Sequence, residues 1–289
     1  MAGRRAVHWM AIAAGVLAAM ALASAPASEP ADAIRYPYVA ALSRVAGTER
    51  VYFCTGTLIA PQWILTAAHC FHSPSGVRVA GAPRVAGTMR EAGEPVRTGE
   101  FWAEVGRDWL KNVQEDAQVQ IAQIVIHPDY DRRTQANDIA LVRLEQEAGP
   151  LIAEAGGSQA DPPSATALGF GSFYEGALAA NALTGSGAPA SQVSDRLRRS
   201  RLALVHFAEC DGLGAPEPAL EVTICTAAAP ADACVGDSGG PLVAEAAEGP
   251  DRLVGVLSYG SGCAVAEPRV AYTRVAPYAD WIAETIAAH

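Results

Sequence analysis

Basic residues are in short supply in this chain: Lys and Arg total 21 against 31 Asp and Glu, a formal net charge of −10 over 289 residues. An acidic chain gains nothing from meeting polyphosphate, so nucleic acid is excluded as an expected partner. Long apolar runs are nearly absent too. One spans Ala6 to Ala23, and no later run is long enough to cross a bilayer. There is no Cys-x-x-Cys pair, and the six cysteines are widely spaced, which argues against a zinc site. Histidine is scarce at six residues, so the search for a general base is short.

The one long apolar run follows Arg4 and Arg5 and ends in small residues with Ala-x-Ala spacing, Ala23-Ser24-Ala25 or Ala25-Pro26-Ala27. A retained membrane anchor is the competing reading, but alanine richness and the cleavage-type ending favour a secretory signal peptide over residues 1–27. Its removal takes away two arginines and no acids, so −10 becomes −12. The expectation is a secreted protein, extracellular or periplasmic, with no membrane attachment after signal removal. Cys54, Cys70, Cys210, Cys225, Cys234 and Cys263 all follow the signal. An even count in an exported chain reads as three disulfides, but six cysteines allow about fifteen pairings and spacing does not choose among them.

The mature part is long enough for one large domain or two small ones. It is mostly short β-type runs divided by Gly, Pro and Asp. In residues 117–126, AQVQIAQIVI, Val119 and Ile121 fall on one face and Gln118 and Gln120 on the other. Further strand candidates are VYFCTGTLIA (51–60), DIALVRL (138–144), ALGFG (167–171) and RLVGVLSYG (252–260). Residues 71–100 and 172–195 read as long loops, and a Gly/Ala/Pro passage near 147–164 divides two strand-rich halves. The end, APYADWIAETIAAH, is helical, with Pro277 in its first turn and Tyr278, Trp281, Ile282 and Ile286 on one stripe. The pattern is an all-β protein of two halves with a C-terminal helix.

The chemistry concentrates in three places. ADACVGDSGGPLV, residues 231–243, presents Ser238 between an aspartate and two glycines, four residues after a cysteine. Gly, Asp and Ser also make ordinary surface turns, so the reading depends on whether the chain supplies a base. A serine hydroxyl is a poor nucleophile unless a base lies in reach and is itself oriented. His69 ends WILTAAHC, where small residues leave room for a neighbour, whereas His72, His127, His206 and His289 sit in polar or terminal settings without obvious partners. Asp138 opens the apolar strand DIALVRL, where a half-buried acid needs pairing.

In that order, CTGTLIAPQWILTAAHC, NDIALVRL and ACVGDSGGPLV resemble the motifs of the chymotrypsin/trypsin-type serine peptidases. IVIHPDYD, LSYGSGC and YTRVAPYADWI extend the resemblance over nearly all of the mature chain. It implies two six-stranded antiparallel β-barrels with a C-terminal α-helix: a first barrel over about 34–150, a second over about 165–275 and the helix over about 277–287, within a peptidase domain at 28–289. It implies Ser238 as nucleophile, His69 as general base and then acid, and Asp138 as the carboxylate that holds the imidazole. The oxyanion hole would be the N–H groups of Gly236 and Ser238. The bridges would be Cys54–Cys70, Cys210–Cys225 and Cys234–Cys263. Asp232, Ser258, Gly260 and Val270 would line the substrate pocket, with Asp232 selecting Arg or Lys before the scissile bond. No cofactor or metal is required. The expected partners are protein or peptide substrates, and the expected state is a monomer.

The chain departs from that pattern in three respects. It has no Ile-Val-Gly-Gly-type sequence at which the family usually matures. Counting back from Pro37 puts the equivalent position near Ala25, so signal removal alone would set the N-terminus, or the aspartate before the serine, Asp237, has another partner. The 71–100 stretch is longer than usual. A pocket glycine is replaced by Val270, or by Arg269 if the alignment shifts by one. The rival function is a catalytically silent homologue acting as a binding module, though such homologues usually lose a residue of the triad or the oxyanion loop. An esterase of the G-x-S-x-G type does not fit the order His, Asp, Ser.

Overall fold

The computed structural model describes residues 29–46, 49–71, 101–110, 118–149, 153–155, 160–171, 196–205, 222–227, 237–260 and 269–289. Strands β2 (Val39–Ala46), β3 (Glu49–Ala60), β4 (Trp63–Thr66), β5 (Phe101–Val105), β6 (Gln118–Ile126) and β7 (Ala140–Leu144) form a closed barrel in the order β2-β3-β4-β7-β6-β5. Six more strands form a second ring: β9 (Ser164–Gly169), β10 (Arg198–Val205), β11 (Thr223–Ala227), β14 (Arg269–Arg274), β13 (Arg252–Gly260) and β12 (Pro241–Ala244). It closes where β12 pairs with β9. All of these ring pairings are antiparallel. Two short strands sit outside the ring: β1 (Glu29–Pro30) on β10, and β8 (Glu154–Ala155) parallel to β13.

One apolar cluster runs from the first barrel (Leu42, Ile64, Leu141) to Leu168, Phe170 and Val256 of the second. Another, with Leu202, Ile224, Val254 and Tyr272, fills the second barrel. Both faces of the strands at the seam are therefore covered. That explains why β13 reads RLVGVLSYG, a run buried from Leu253 to Ser258, rather than an alternation. Each fully buried Leu, Ile, Val or Phe contributes about 1.5–3 kcal/mol of transfer free energy.

The N-terminal strap crosses to the second barrel and is fastened there by Asp251, which is 3% exposed. Arg35 donates to both of its oxygens (2.6 and 2.9 Å), and Tyr38 Oη–H (2.6 Å) and Ala246 N–H (3.0 Å) also donate to it. Beside it Tyr36 donates to Glu245. Burial pushes the Asp251 carboxyl up, but its bonds to Arg35, Tyr38 and Ala246 prevail and hold it below the usual carboxylate range.

The C-terminal helix α1 (Ala279–Ala288) begins two residues later than Pro277 suggests, because Pro277 lies in a preceding 3-10 turn, Ala276–Tyr278. Tyr278 and Ile282 are buried as the stripe requires, and Thr285 joins them. His127, expected to lack partners, is instead clasped edge-on by Tyr278 and Trp281, with ring centroids 5.1 and 4.9 Å away. Its Nδ1 accepts from Asp129 N–H at 3.2 Å. Three of the expected strands also shift. DIALVRL becomes a strand only at Ala140, after Gln135 and Asn137 turn the chain through positive φ. Residues 117–126 pair from Gln118, and ALGFG belongs to a strand that starts at Ser164 and stops at Gly169. Residues 71–100 and 172–195, read as long loops, lie outside the described residues except for Phe71.

Candidate active site

The buried strand β4, WILT, leads through the buried Ala67 into one 3-10 turn, Ala68–Cys70, that carries His69. Cys70 is bonded to Cys54 of β3, which ties this turn to the barrel wall. His69 N–H donates to Asp138 Oδ1 at 2.9 Å, and His69 Nδ1 lies 2.7 Å from Oδ2. An ionised carboxylate only accepts, so Nδ1 carries the proton and Nε2 keeps its lone pair. Burial opposes a charged ring here, but the charge and hydrogen bond of Asp138 outweigh it and raise the His69 pKa above its ordinary value.

Asp138 is 0% exposed, not half-buried as its position at the head of a strand suggests. A buried carboxylate needs donors, and two of its donors come from His69. A third comes across the seam: Ser258 Oγ–H of β13 donates to Oδ2. Thr273 Oγ–H of β14 donates to the Asp138 carbonyl at 2.9 Å, and Tyr278 Oη–H donates to Asn137 Oδ1 at 2.8 Å. The second barrel and the helix approach therefore hold this carboxylate. Sequence reasoning missed these supports. Ser258 was read as a pocket residue, yet its hydroxyl is spent on Asp138. Nothing in the spacing of YTRVAPY marks Thr273 or Tyr278.

Ser238 reaches the same seam from the other side. Thr55 N–H donates to the Ser238 carbonyl at 2.8 Å, and Cys70 Sγ lies 3.8 Å from that oxygen. The turn around Ser238 closes through Gly240 N–H to Asp237 O, and is pinned to β13 through Gly239 N–H to Leu257 O and Leu257 N–H to Gly240 O. Gly239 has φ +78°, and a Cβ there would strike Thr66 Oγ1 and the Thr55 carbonyl. That glycine is thus required by the approach of the first barrel, a reason separate from access for an incoming carbonyl. Asp237 turns its carboxylate toward the end of β9, and Gly171 N–H, two residues past that strand, donates to Oδ1 at 2.7 Å. Side chains at Gly169 or Gly171 would collide with that carboxylate.

Among the pocket residues, Val270 is buried (3%) and pairs with Gly260 across β13 and β14. A Cβ at Gly260 would stand 3.6 Å from Val270 Cγ2. Asp232, Gly236, Cys210, Cys234 and Cys263 lie outside the described residues. Cys225 is disulfide-bonded, to a partner also outside them. Cys54, His69 and Cys70 come close enough to suggest a metal cluster, but the two sulfurs are joined to each other and offer no thiolate.

The family model described as Trypsin matches residues 27–282. Urokinase-type plasminogen activator of Gallus gallus is 30% identical over 258 residues, covering 85% of this chain and 54% of the relative. Serine protease Hayan of Drosophila melanogaster is 32% identical over 268 residues, 86% of this chain and 36% of the relative. Serine protease 56 of Homo sapiens is 31% identical over 252 residues, 81% and 35% respectively. The chain spans between about a third and just over half the length of these relatives. Two closed six-stranded barrels with a C-terminal helix agree with the match, and the chain belongs to the trypsin family of serine peptidases.

Proposed function

We propose that the protein is a secreted serine endopeptidase that works through an acyl-enzyme, with Ser238 as nucleophile, His69 as general base and acid, and Asp138 as the orienting carboxylate. The observation that carries this reading is the bond of His69 Nδ1 to a fully buried carboxylate, which leaves Nε2 as the one basic position of the ring. In the first step Ser238 Oγ bonds to the substrate carbonyl carbon and its proton passes to Nε2. The N–H groups of Gly236 and Ser238 receive the negative oxygen, each such donor being worth roughly 3–4 kcal/mol in the transition state. The C–N bond then breaks as Nε2–H protonates the departing amine. Water, deprotonated by the same nitrogen, attacks the ester and releases Ser238. Asp138 stays ionised throughout and stabilises the imidazolium. Secretion is read from the signal pattern of residues 1–27.

The test of this reading is acylation. An organophosphate should label Ser238 of the exported protein, whose N-terminal sequence also reports the processing site. Ser238→Ala should abolish burst-phase acylation and lower kcat by at least about 10⁴-fold, a small residual rate coming from binding and the oxyanion hole. Unchanged hydrolysis in that variant moves the nucleophile elsewhere. A protein that neither labels nor cleaves is the binding module.

For specificity we propose cleavage after Arg or Lys, with Asp232 at the pocket base as the cation's partner. The pairing of Val270 with Gly260 favours Val270, not Arg269, as the pocket wall. A valine there narrows the entrance, so the slimmer lysine is favoured over arginine. Val270→Gly should raise kcat/KM for arginine substrates by about tenfold, the scale on which a few buried carbons discriminate. A wild-type preference for small apolar or acidic residues overturns the basic assignment.

A further inference from the structure

The turn bearing Ser238 is held from the first barrel by the backbone N–H of Thr55 of β3, whose side chain is tied to Tyr52 of the same strand; the proposed mechanism has no use for either hydroxyl. The Tyr52 hydroxyl is hydrogen-bonded to Thr55 Oγ1. The Tyr52 ring meets the Phe170 ring edge-on at 5.9 Å. Phe170 immediately precedes Gly171, whose N–H fixes the Asp237 carboxylate. Burial, and behind it the nearby Asp237 charge, keep Tyr52 a neutral phenol far above its ordinary pKa.

Thr55, fully buried, carries the other half of the linkage. Its N–H donates to the Ser238 carbonyl at 2.8 Å, and its own carbonyl accepts Thr66 Oγ–H at 2.7 Å. That same carbonyl is one of the groups packed against Gly239. Tyr52 therefore touches both ends of one path. Through Phe170 it reaches the strand end that holds Asp237, and through Thr55 it reaches the carbonyl of Ser238.

We propose that Tyr52 and Thr55 are positioning residues, whose paired hydroxyls fix the part of β3 that packs on Phe170 and bonds the Ser238 turn, and so set the attack geometry of the serine. The proposal rests on Ser238 being the nucleophile. Neither hydroxyl moves a proton in the reaction. Their effect is orientation, where an error of about 1 Å costs about 100-fold in rate.

The experiment compares Tyr52→Phe, Thr55→Ala and the double variant by steady-state kinetics and by amide hydrogen exchange. Tyr52→Phe keeps the ring contact with Phe170 and removes only the hydroxyl, so it carries the test alone should Thr55→Ala not fold. Each single variant should lower kcat by about tenfold with KM within about twofold. The double variant should be no worse than either single one, since both break one linkage. The ascending pH limb of kcat/KM should not move, because His69 and Asp138 are untouched. Exchange at the Gly239 and Gly240 amides should quicken by about tenfold while β6 and β7 stay protected. Wild-type exchange in Tyr52→Phe overturns the proposal, as do additive losses in the double variant. If exchange responds as expected but no form of the protein hydrolyses peptides, the hydroxyl linkage stands and the assignment of Ser238 as nucleophile falls.

Discussion

Two aspartates, Asp138 and Asp251, are buried at the joins of this molecule in almost the same manner, 0% and 3% exposed. Each gathers donors from elements far apart in the chain. Asp138 receives His69 N–H and Nδ1–H and, from the other barrel, Ser258 Oγ–H. Asp251 receives both guanidinium nitrogens of Arg35, the Tyr38 hydroxyl and the Ala246 N–H. Burial and complete hydrogen bonding therefore do not distinguish the carboxylate proposed for catalysis from a structural one. The counter-charge does. Arg35 is charged at every pH the protein meets, so the Asp251 pair is permanent. His69 is a titratable partner, opposed by burial but held above its ordinary pKa by Asp138, and it keeps a second nitrogen, so its pairing with Asp138 can gain and lose a proton.

The largest effect that would sharpen this contrast is on rate. Asp138→Asn should lower kcat by about 10³–10⁴-fold if the proposed triad holds, because an amide donating to Nδ1 enforces the other tautomer. Folding should survive, since the amide oxygen at the Oδ1 position still accepts His69 N–H, and the amide nitrogen at the Oδ2 position can donate to Ser258 Oγ. Asp251→Ala should do the reverse. It leaves the Tyr38 hydroxyl and Ala246 N–H without their acceptor, a loss on the order of 3 kcal/mol, with the ion-pair part discounted because Arg35 is 44% exposed. The checks are kcat per active site, obtained by titration, and the midpoint of urea unfolding. Comparable kcat losses in both variants would break the distinction.

The two aspartates were also unequally legible. Asp138 stands in NDIALVRL, a segment whose residues match a family motif, and the same holds for His69 and Ser238. The chemistry of a nucleophile demands particular residue types in local company, and local company is what a sequence displays. Asp251 is followed by Arg252 and preceded by Pro250, and reads as a turn residue. Its partner Arg35 is 216 positions away, a pairing that exists only once both barrels have closed. Ser258 and Thr273 were opaque for the same reason.

The strands divide along similar lines. VYFCTGTLIA and RLVGVLSYG announce themselves because both run buried over most of their length, with few charges. Strand β10, RRSRLALV, does not, since its arginines are answered by groups from elsewhere: Arg199 by Glu29 of β1 at 2.6 Å, and Arg201 by Ser164 of β9 at 2.9 Å. Charge that is satisfied only in three dimensions reads as loop in one.

The smallest predicted effect uses pH to separate the two carboxylates. His69 has a folded pKa raised above its ordinary value, so its pairing contributes stability that is fully present below the unfolded pKa and is lost as pH rises through the folded one. Asp251 is shifted the other way, so its contribution is present above the unfolded carboxylate pKa and is lost as pH falls through its depressed folded value. His127 complicates the neutral range, because burial lowers its pKa and the folded state loses stability as acid protonates the unfolded chain first. Subtracting variants removes that background. The stability advantage of wild type over Asp138→Asn should be greatest at the acid end of about pH 5.5–8.5 and narrow as pH rises, whereas its advantage over Asp251→Ala should stay flat there and shrink only near pH 4 and below. Activity must run opposite to the first of these curves: kcat/KM should climb over the window in which the His69 contribution to stability fades, since the base works only when neutral. A wild-type advantage over Asp138→Asn that widened with pH would mean that His69 is not the charged partner of Asp138, and the feature that separates this carboxylate from Asp251 would be gone.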